Sequence, residues 1–179
     1  MATRRTLLAW GGGVLAAGLL GAACGEPKAA VAPAPAQTPP GPVDGGIGQP
    51  IARPGVTVTV KRLVATRSFG GRVNAPRGTF YVTLQIEVQS TGTAKPAIGA
   101  EATKLELPDG RSGKAELGGP GSELPGTGPE PGQSAVGWRT LGVPDGTRAA
   151  TLVLTPFEGT VIRIGLTIPE RVEDRTVDV

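Results

Sequence analysis

The stretch Thr79-Phe80-Tyr81-Val82-Thr83-Leu84-Gln85-Ile86-Glu87-Val88-Gln89 sets the strongest limit on how this chain can fold. Phe80, Val82, Leu84, Ile86 and Val88 take every second place, with Tyr81, Thr83, Gln85, Glu87 and Gln89 between them. Successive side chains of an extended strand point to opposite faces, so this order makes one apolar face and one wet face. A helix would scatter the same apolar residues around its circumference. The chain must therefore build a sheet, and a second layer to cover its apolar side.

Other segments repeat the signal. Val56, Val58 and Val60 alternate with Thr57, Thr59 and Lys61, and Ile162, Ile164, Leu166 and Ile168 with Arg163, Gly165 and Thr167. Between them, 104–107, 112–117, 134–141 and 149–155 are short strand-like runs bounded by Gly, Pro or Asp. Pro108-Asp109-Gly110 and Pro144-Asp145-Gly146 are turns: proline presets its dihedral, aspartate bonds back to nearby backbone, and glycine tolerates positive φ. Neither aspartate has the D-x-D-x-D spacing of a calcium loop.

No segment after residue 54 keeps a helical period. About seven short strands over residues 55–168 predict an all-β fold, an immunoglobulin-like β-sandwich, with a small barrel as the alternative. The expected core holds Val58, Val60, Leu63, the five alternating apolar residues of the 79–89 stretch, Leu105, Leu107, Val136, Trp138, Leu152, Leu154, Ile162, Ile164 and Leu166.

The N-terminus has a different grammar. Arg4 and Arg5 are the only charges before Glu26, and the eighteen residues from Thr6 to Ala23 carry none. Charge followed by an apolar run is the order of an export signal, assigned to residues 1–23. Thr3-Arg4-Arg5-Thr6-Leu7-Leu8 resembles the twin-arginine signal, although paired arginines also occur in Sec signals. A membrane-spanning helix fits less well, because Gly11, Gly12, Gly13, Gly18 and Gly21 each weaken helix by about 1 kcal/mol relative to alanine.

The run ends in Gly21-Ala22-Ala23-Cys24, which resembles the lipobox of bacterial lipoproteins, with Leu20 one step further out than usual. Cys24 is the chain's one cysteine, so no internal disulfide accounts for it. The expectation is lipid attachment at Cys24, with a membrane anchor on the extracytoplasmic face; ordinary cleavage and a secreted chain is the alternative. Residues 24–54 hold many Pro, Ala and Gly and almost no large apolar side chain, which predicts a disordered spacer. Residues 169–179 form a charged tail.

Composition excludes several chemistries. The chain has no histidine, which removes Ser/His/Asp and Cys/His nucleophile systems, imidazole zinc sites and blue copper. Loss of Arg4 and Arg5 takes the 18 basic residues to 16 against 15 acidic, a net +1, too balanced for a nucleic-acid binder. No cofactor or metal site is expected. Glu101, Glu106, Glu123 and Glu130 are the carboxylates an envelope hydrolase would have to use, and they are scattered. The 118–132 segment, GGPGSELPGTGPEPG counted from Gly118, reads as a flexible loop, or as the rim of a small-ligand carrier.

Three groups of residues carry a family resemblance: Phe80 to Val88 followed by Ser90-Thr91-Gly92; Leu107-Pro108-Asp109-Gly110; and Leu124, Pro131-Gly132-Gln133, Gly137-Trp138 and Val143-Pro144. Together they resemble bacterial lipoproteins with an exported, telokin-like immunoglobulin module of unknown function, related in fold to a small secreted mycobacterial antigen. The resemblance covers residue 55 to about 168 and implies a non-catalytic module with no transferable site residues. Its expected partner is an envelope protein or the cell wall.

Overall fold

A computed structural model describes residues 37–69, 73–116 and 118–170. Arg4, Arg5 and Cys24 lie outside the described residues, as do 25–36 and 171–179.

The strands are β1 (Ile51–Arg53), β2 (Val56–Thr66), β3 (Ser68–Phe69), β4 (Val73–Asn74), β5 (Thr79–Ser90), β6 (Thr103–Glu106), β7 (Ser112–Glu116), β8 (Ser134–Pro144), β9 (Ala149–Phe157) and β10 (Thr160–Thr167). One turn of 3-10 helix, Ala100–Ala102, precedes β6. Among the described residues no helix is long and apolar enough to cross a membrane. The seven segments read from alternation and turn chemistry are β2 and β5 to β10. β1, β3 and β4 have two or three residues each, too few to show a period.

Among the described residues eight strands hydrogen-bond in the order β1-β2-β5-β8-β7-β6-β9-β10, and β3 pairs with β4 in a separate two-stranded sheet. All these strand pairs are antiparallel. β7 turns the corner between the layers. Its Ser112 and Gly113 pair with β6, and its Lys114 to Glu116 pair with β8. The result is a two-layered all-β sandwich, with β1, β2, β5 and β8 in one layer and β6, β9 and β10 in the other. Phe80, Val82, Leu84, Ile86 and Val88 lie in one buried cluster with Leu105, Leu152, Leu154, Ile162, Ile164 and Leu166. At β6 and β8 the chain reverses through the two Pro-Asp-Gly turns, where Gly110 and Gly146 both sit at φ 82°.

β8 departs from the expected phase. Its register sets Leu141 opposite Val82, Arg139 opposite Leu84, Gly137 opposite Ile86 and Ala135 opposite Val88. Directly opposed residues share a face, so Arg139 faces the interior. Val136 and Trp138, expected in the core, lie on the outer face. Val136 is 49 % exposed, while Trp138 is buried outside the main cluster. Residues 118–122 cover it: a Cβ on Gly121 would stand 2.8 Å from the Trp138 Nε1, and one on Gly119 3.4 Å from its Cβ.

Residues 37–54, expected to belong to a disordered spacer, are fixed against the sandwich. Gln37 Nε2 donates to the Gly146 carbonyl at 3.0 Å, and its Oε1 accepts from the Arg148 amide at 2.8 Å. The Pro40 carbonyl accepts from Thr151 Oγ1, and the Pro42 carbonyl from Arg163 Nε. Asp44 N–H donates to the Arg163 carbonyl and Gly165 N–H to that of Gly45, adding a parallel bridge to the edge of β10. Gly48 N–H then donates to the Val60 carbonyl, and Ile51 enters the core. Residues 37–50 form a strap from the β10 edge to β2. Backbone carbonyls and a few polar side chains make its contacts, which a scarcity of apolar residues does not prevent.

Candidate functional site

The strongest concentration of unusual chemistry is built around Arg139. Its position in β8 aims it inward, and it is 5 % exposed. Nη2 donates to the Ile98 carbonyl at 3.0 Å and the Leu124 carbonyl at 3.3 Å; Nη1 donates to Glu123 Oε1 at 3.1 Å. Nε has no partner. Burial draws the guanidinium below the ordinary arginine pKa, and the Glu123 charge opposes that shift. Arginine stays charged through such a shift, and its planar fork spans acceptors on separate segments.

Those acceptors belong to two loops, which Arg139 ties to each other and to the sheet. Ser122 to Leu124 lie beside β8, where Trp138 N–H donates to the Ser122 carbonyl at 2.9 Å and Leu124 N–H to the Trp138 carbonyl at 2.8 Å. The contact requires glycine at 137, since a Cβ there would stand 2.5 Å from the Leu124 Cα. Further along, Gly128 N–H donates to the Pro96 carbonyl at 2.9 Å, Ala97 bridges Thr127, and Lys95 Nζ lies 2.5 Å from Glu130 Oε1. Leu124 and Ile98 are buried beneath. The 118–132 segment, read as flexible from its composition, is a braced platform at one end of the sandwich. What the sequence offers in retrospect is phase: stepping back by two from Val143 and Leu141 lands on Arg139, Gly137 and Ala135.

The scattered glutamates are separately engaged. Glu106 Oε2 accepts from Arg163 Nη2 at 2.5 Å, Glu123 pairs with Arg139 and Glu130 with Lys95, while Glu101 is exposed on the 3-10 turn. Among the described residues no group of three or more His, Cys, Asp or Glu is placed to hold a metal ion.

Two polar clefts lie on the surface of the described residues. One of about 190 Å³ lies between the Pro-Asp-Gly turns, with Gln37, Asp109, Arg111 and Asp145 on its walls. Asp109 accepts from Arg111 Nε at 2.7 Å, and this hydrogen bond, aided by one from the Arg111 amide, holds its carboxyl below the usual aspartate value. The other, about 360 Å³, lies on the outer face of β2 and β5 among Thr57, Thr59, Lys61, Glu87 and Gln89. Lys61 and Glu87 pair across it at 2.7 Å.

No family model matches the chain, and no curated protein does. Solved structures match it in fold. Bacillus subtilis YcdA, described as "a putative lipoprotein", superposes with a TM-score of 0.55 at 14% identity over 66% of this chain; the match takes in 38% of YcdA, well under two thirds of its length. Bacillus subtilis YjhA gives 0.50 at 14% identity, covering 68% of this chain and 98% of that one. A β-sandwich protein from Clostridium difficile gives 0.43 at 15% identity, covering 68% and 91%. At 14% identity the likeness to YcdA and YjhA is one of fold alone.

Proposed function

We propose that the chain is an extracytoplasmic lipoprotein: Cys24 carries the lipid after removal of residues 1–23, and the sandwich is a non-catalytic binding module of immunoglobulin-like type. The observation that carries this reading is the lone cysteine directly after eighteen uncharged residues that follow Arg4 and Arg5. Acyl chains on that residue hold a protein to a bilayer, each buried methylene adding about 0.8 kcal/mol. The fold shared with YcdA supports it.

The binding role is supported by the platform around Arg139, whose loops are held before any partner arrives. Preorganised loops lose less entropy on binding than mobile ones. A non-catalytic module is supported by the absence of histidine from the sequence and by the pairing of Glu106, Glu123 and Glu130 with cations. Its partner class is an envelope protein or cell-wall polymer.

Intact mass of the protein from membranes tests the anchor. A chain beginning at Cys24 with added acyl mass supports it. An unmodified chain in the medium, or an uncleaved one in the membrane, refutes it. Pull-down from envelope extracts with the native protein and with an Arg139→Ala variant tests the platform, since loss of a captured protein in the variant alone ties binding to those loops.

A further inference from the structure

We propose that the 360 Å³ cleft on the outer face of β2 and β5 is a binding site for a neutral glycan that carries N-acetyl groups. The inference rests on the reading of the sandwich as a binding module and names a ligand class for it, at a surface apart from the Arg139 platform.

The ladder builds the site in rows. Thr57 opposes Gln89, which opposes Ser134; Thr59 opposes Glu87, which opposes Val136. Directly opposed residues share a face, so these side chains stand together on the outer surface of the layer. Lys61 joins them at the bulge between Val60 and Arg62, where it pairs with Glu87 at 2.7 Å. Gly48 and Pro50 of the strap wall one side, held there by the bond from the Gly48 N–H to the Val60 carbonyl. The volume falls in the range of about 300–1,000 Å³ typical of small-molecule sites.

Four of the lining side chains have hydrogen-bonding capacity that the protein does not use. Among the described residues nothing bonds to the hydroxyls of Thr57, Thr59 and Ser134 or to the carboxamide of Gln89. Thr59 is the telling case, because it is only 8 % exposed. Among the described residues the one fully buried side-chain polar atom without a partner is the Arg139 Nε, so the Thr59 hydroxyl keeps access to the outside, through the cleft that it lines. Such a group is satisfied by water or by a ligand that replaces the water.

The lining selects among ligands. Lys61 and Glu87 cancel one another, so no net charge is left for a phosphate, a sulfate or a metal ion. Pro50 is the only apolar side chain in the lining, too little for an apolar ligand. An extended peptide pairs with a strand edge through its backbone, whereas this surface is a face made of side chains. Hydroxyls and a carboxamide both donate and accept, which suits the hydroxyls of a sugar. Val136, 49 % exposed and opposite Glu87, adds an apolar spot at the border. An acetamido substituent brings one methyl group for that valine and one amide of the kind Gln89 pairs with. No aromatic ring lines the cleft, so affinity rests on hydrogen bonds and is weak.

Titration of the isotope-labelled, unlipidated full chain with chitotetraose, followed through its amide resonances, tests the site. The expected result is saturable shifts at Thr57, Thr59, Glu87 and Gln89 in the millimolar range, with Leu124 in the Arg139 platform unmoved. Cellotetraose, which has the hydroxyls without the acetamido groups, should bind several-fold more weakly. Gln89→Ala should raise Kd about fivefold, the size of one neutral hydrogen bond. Thr59→Val keeps the shape, removes the hydroxyl and should do the same in a chain that still melts cooperatively. Absence of shifts in the cleft, shifts confined to another surface, or unchanged affinity in Gln89→Ala and in folded Thr59→Val overturns the site. Equal affinity for the two sugars overturns the assignment of an N-acetylated ligand. The Arg139 pull-down reports on the platform and the mass measurement on Cys24, so failure of this site is distinguishable from failure of either.

Discussion

Arg139 Nη2 donates to the carbonyl of Ile98 at 3.0 Å, a bond between β8 and the loop before β6 made inside the sandwich. The same nitrogen reaches Leu124, so one guanidinium satisfies buried acceptors on two loops. Each unsatisfied buried polar group costs about 1–3 kcal/mol. Arg139→Ala is therefore expected to lower stability by about 3 kcal/mol in urea unfolding. Amide exchange should quicken at Leu124, whose N–H bonds to Trp138. Arg139→Lys should recover part of the stability and only one of the two loop contacts.

Gly137 gives a sharper test of how closely the loop lies on the sheet. A methyl group there would stand 2.5 Å from the Leu124 Cα and 2.6 Å from its nitrogen, both backbone atoms that cannot move alone. Gly137→Ala should cost about 1–3 kcal/mol, the range for overpacking a filled interior. Gly126→Ala, in the same platform, adds a methyl with no atom within 4 Å and should be close to neutral. Equal melting temperatures for the two variants would mean that 122–124 is not seated on β8.

These two positions also show where sequence patterns run out. β5 was legible because one face meets the core and the other is largely polar. On β8 the inner face meets the second layer while residues 118–122 cover the outer face at Trp138, so hydrophobicity no longer marks the inside. Trp138 is buried on the outer side and Arg139 on the inner. The strap was hidden for another reason: Pro40 and Pro42 contribute carbonyl oxygens, and every residue type has one. The turns at Asp109 and Asp145 were readable because their chemistry is local.

Removal of the strap together with β1 should expose what the two cover. A chain beginning at Gly55 loses Ile51 from the core, about 2 kcal/mol of burial, and opens the β10 edge around Arg163 and Gly165. Unpaired edges seek other strands. The expected outcome is a lower melting temperature than for a chain beginning at Gln37, together with concentration-dependent association in sedimentation velocity. Identical melting and a monomer at all concentrations would show that the strap and β1 contribute nothing to the fold.

Tyr81, the one tyrosine of the chain, reports on the outer face near the β3–β4 hairpin. Its ring stacks on Phe69 with centroids 5.1 Å apart, and its hydroxyl donates to the Asn74 carbonyl at 3.2 Å. Burial raises its pKa above 10.0; the Glu116 charge adds to the rise and Lys114 opposes it. A phenol whose folded pKa is raised contributes stability that is fully present below the unfolded value and is lost as pH climbs through the folded one. Stability should therefore hold up to about pH 10 and fall above it, with the phenolate absorbance appearing later in the folded chain than in urea. In Tyr81→Phe this alkaline decline should be shallower, because the side chain no longer ionises. A phenolate that appears at the same pH in folded and unfolded chains would place Tyr81 in open solvent and remove the stacked hairpin from the fold.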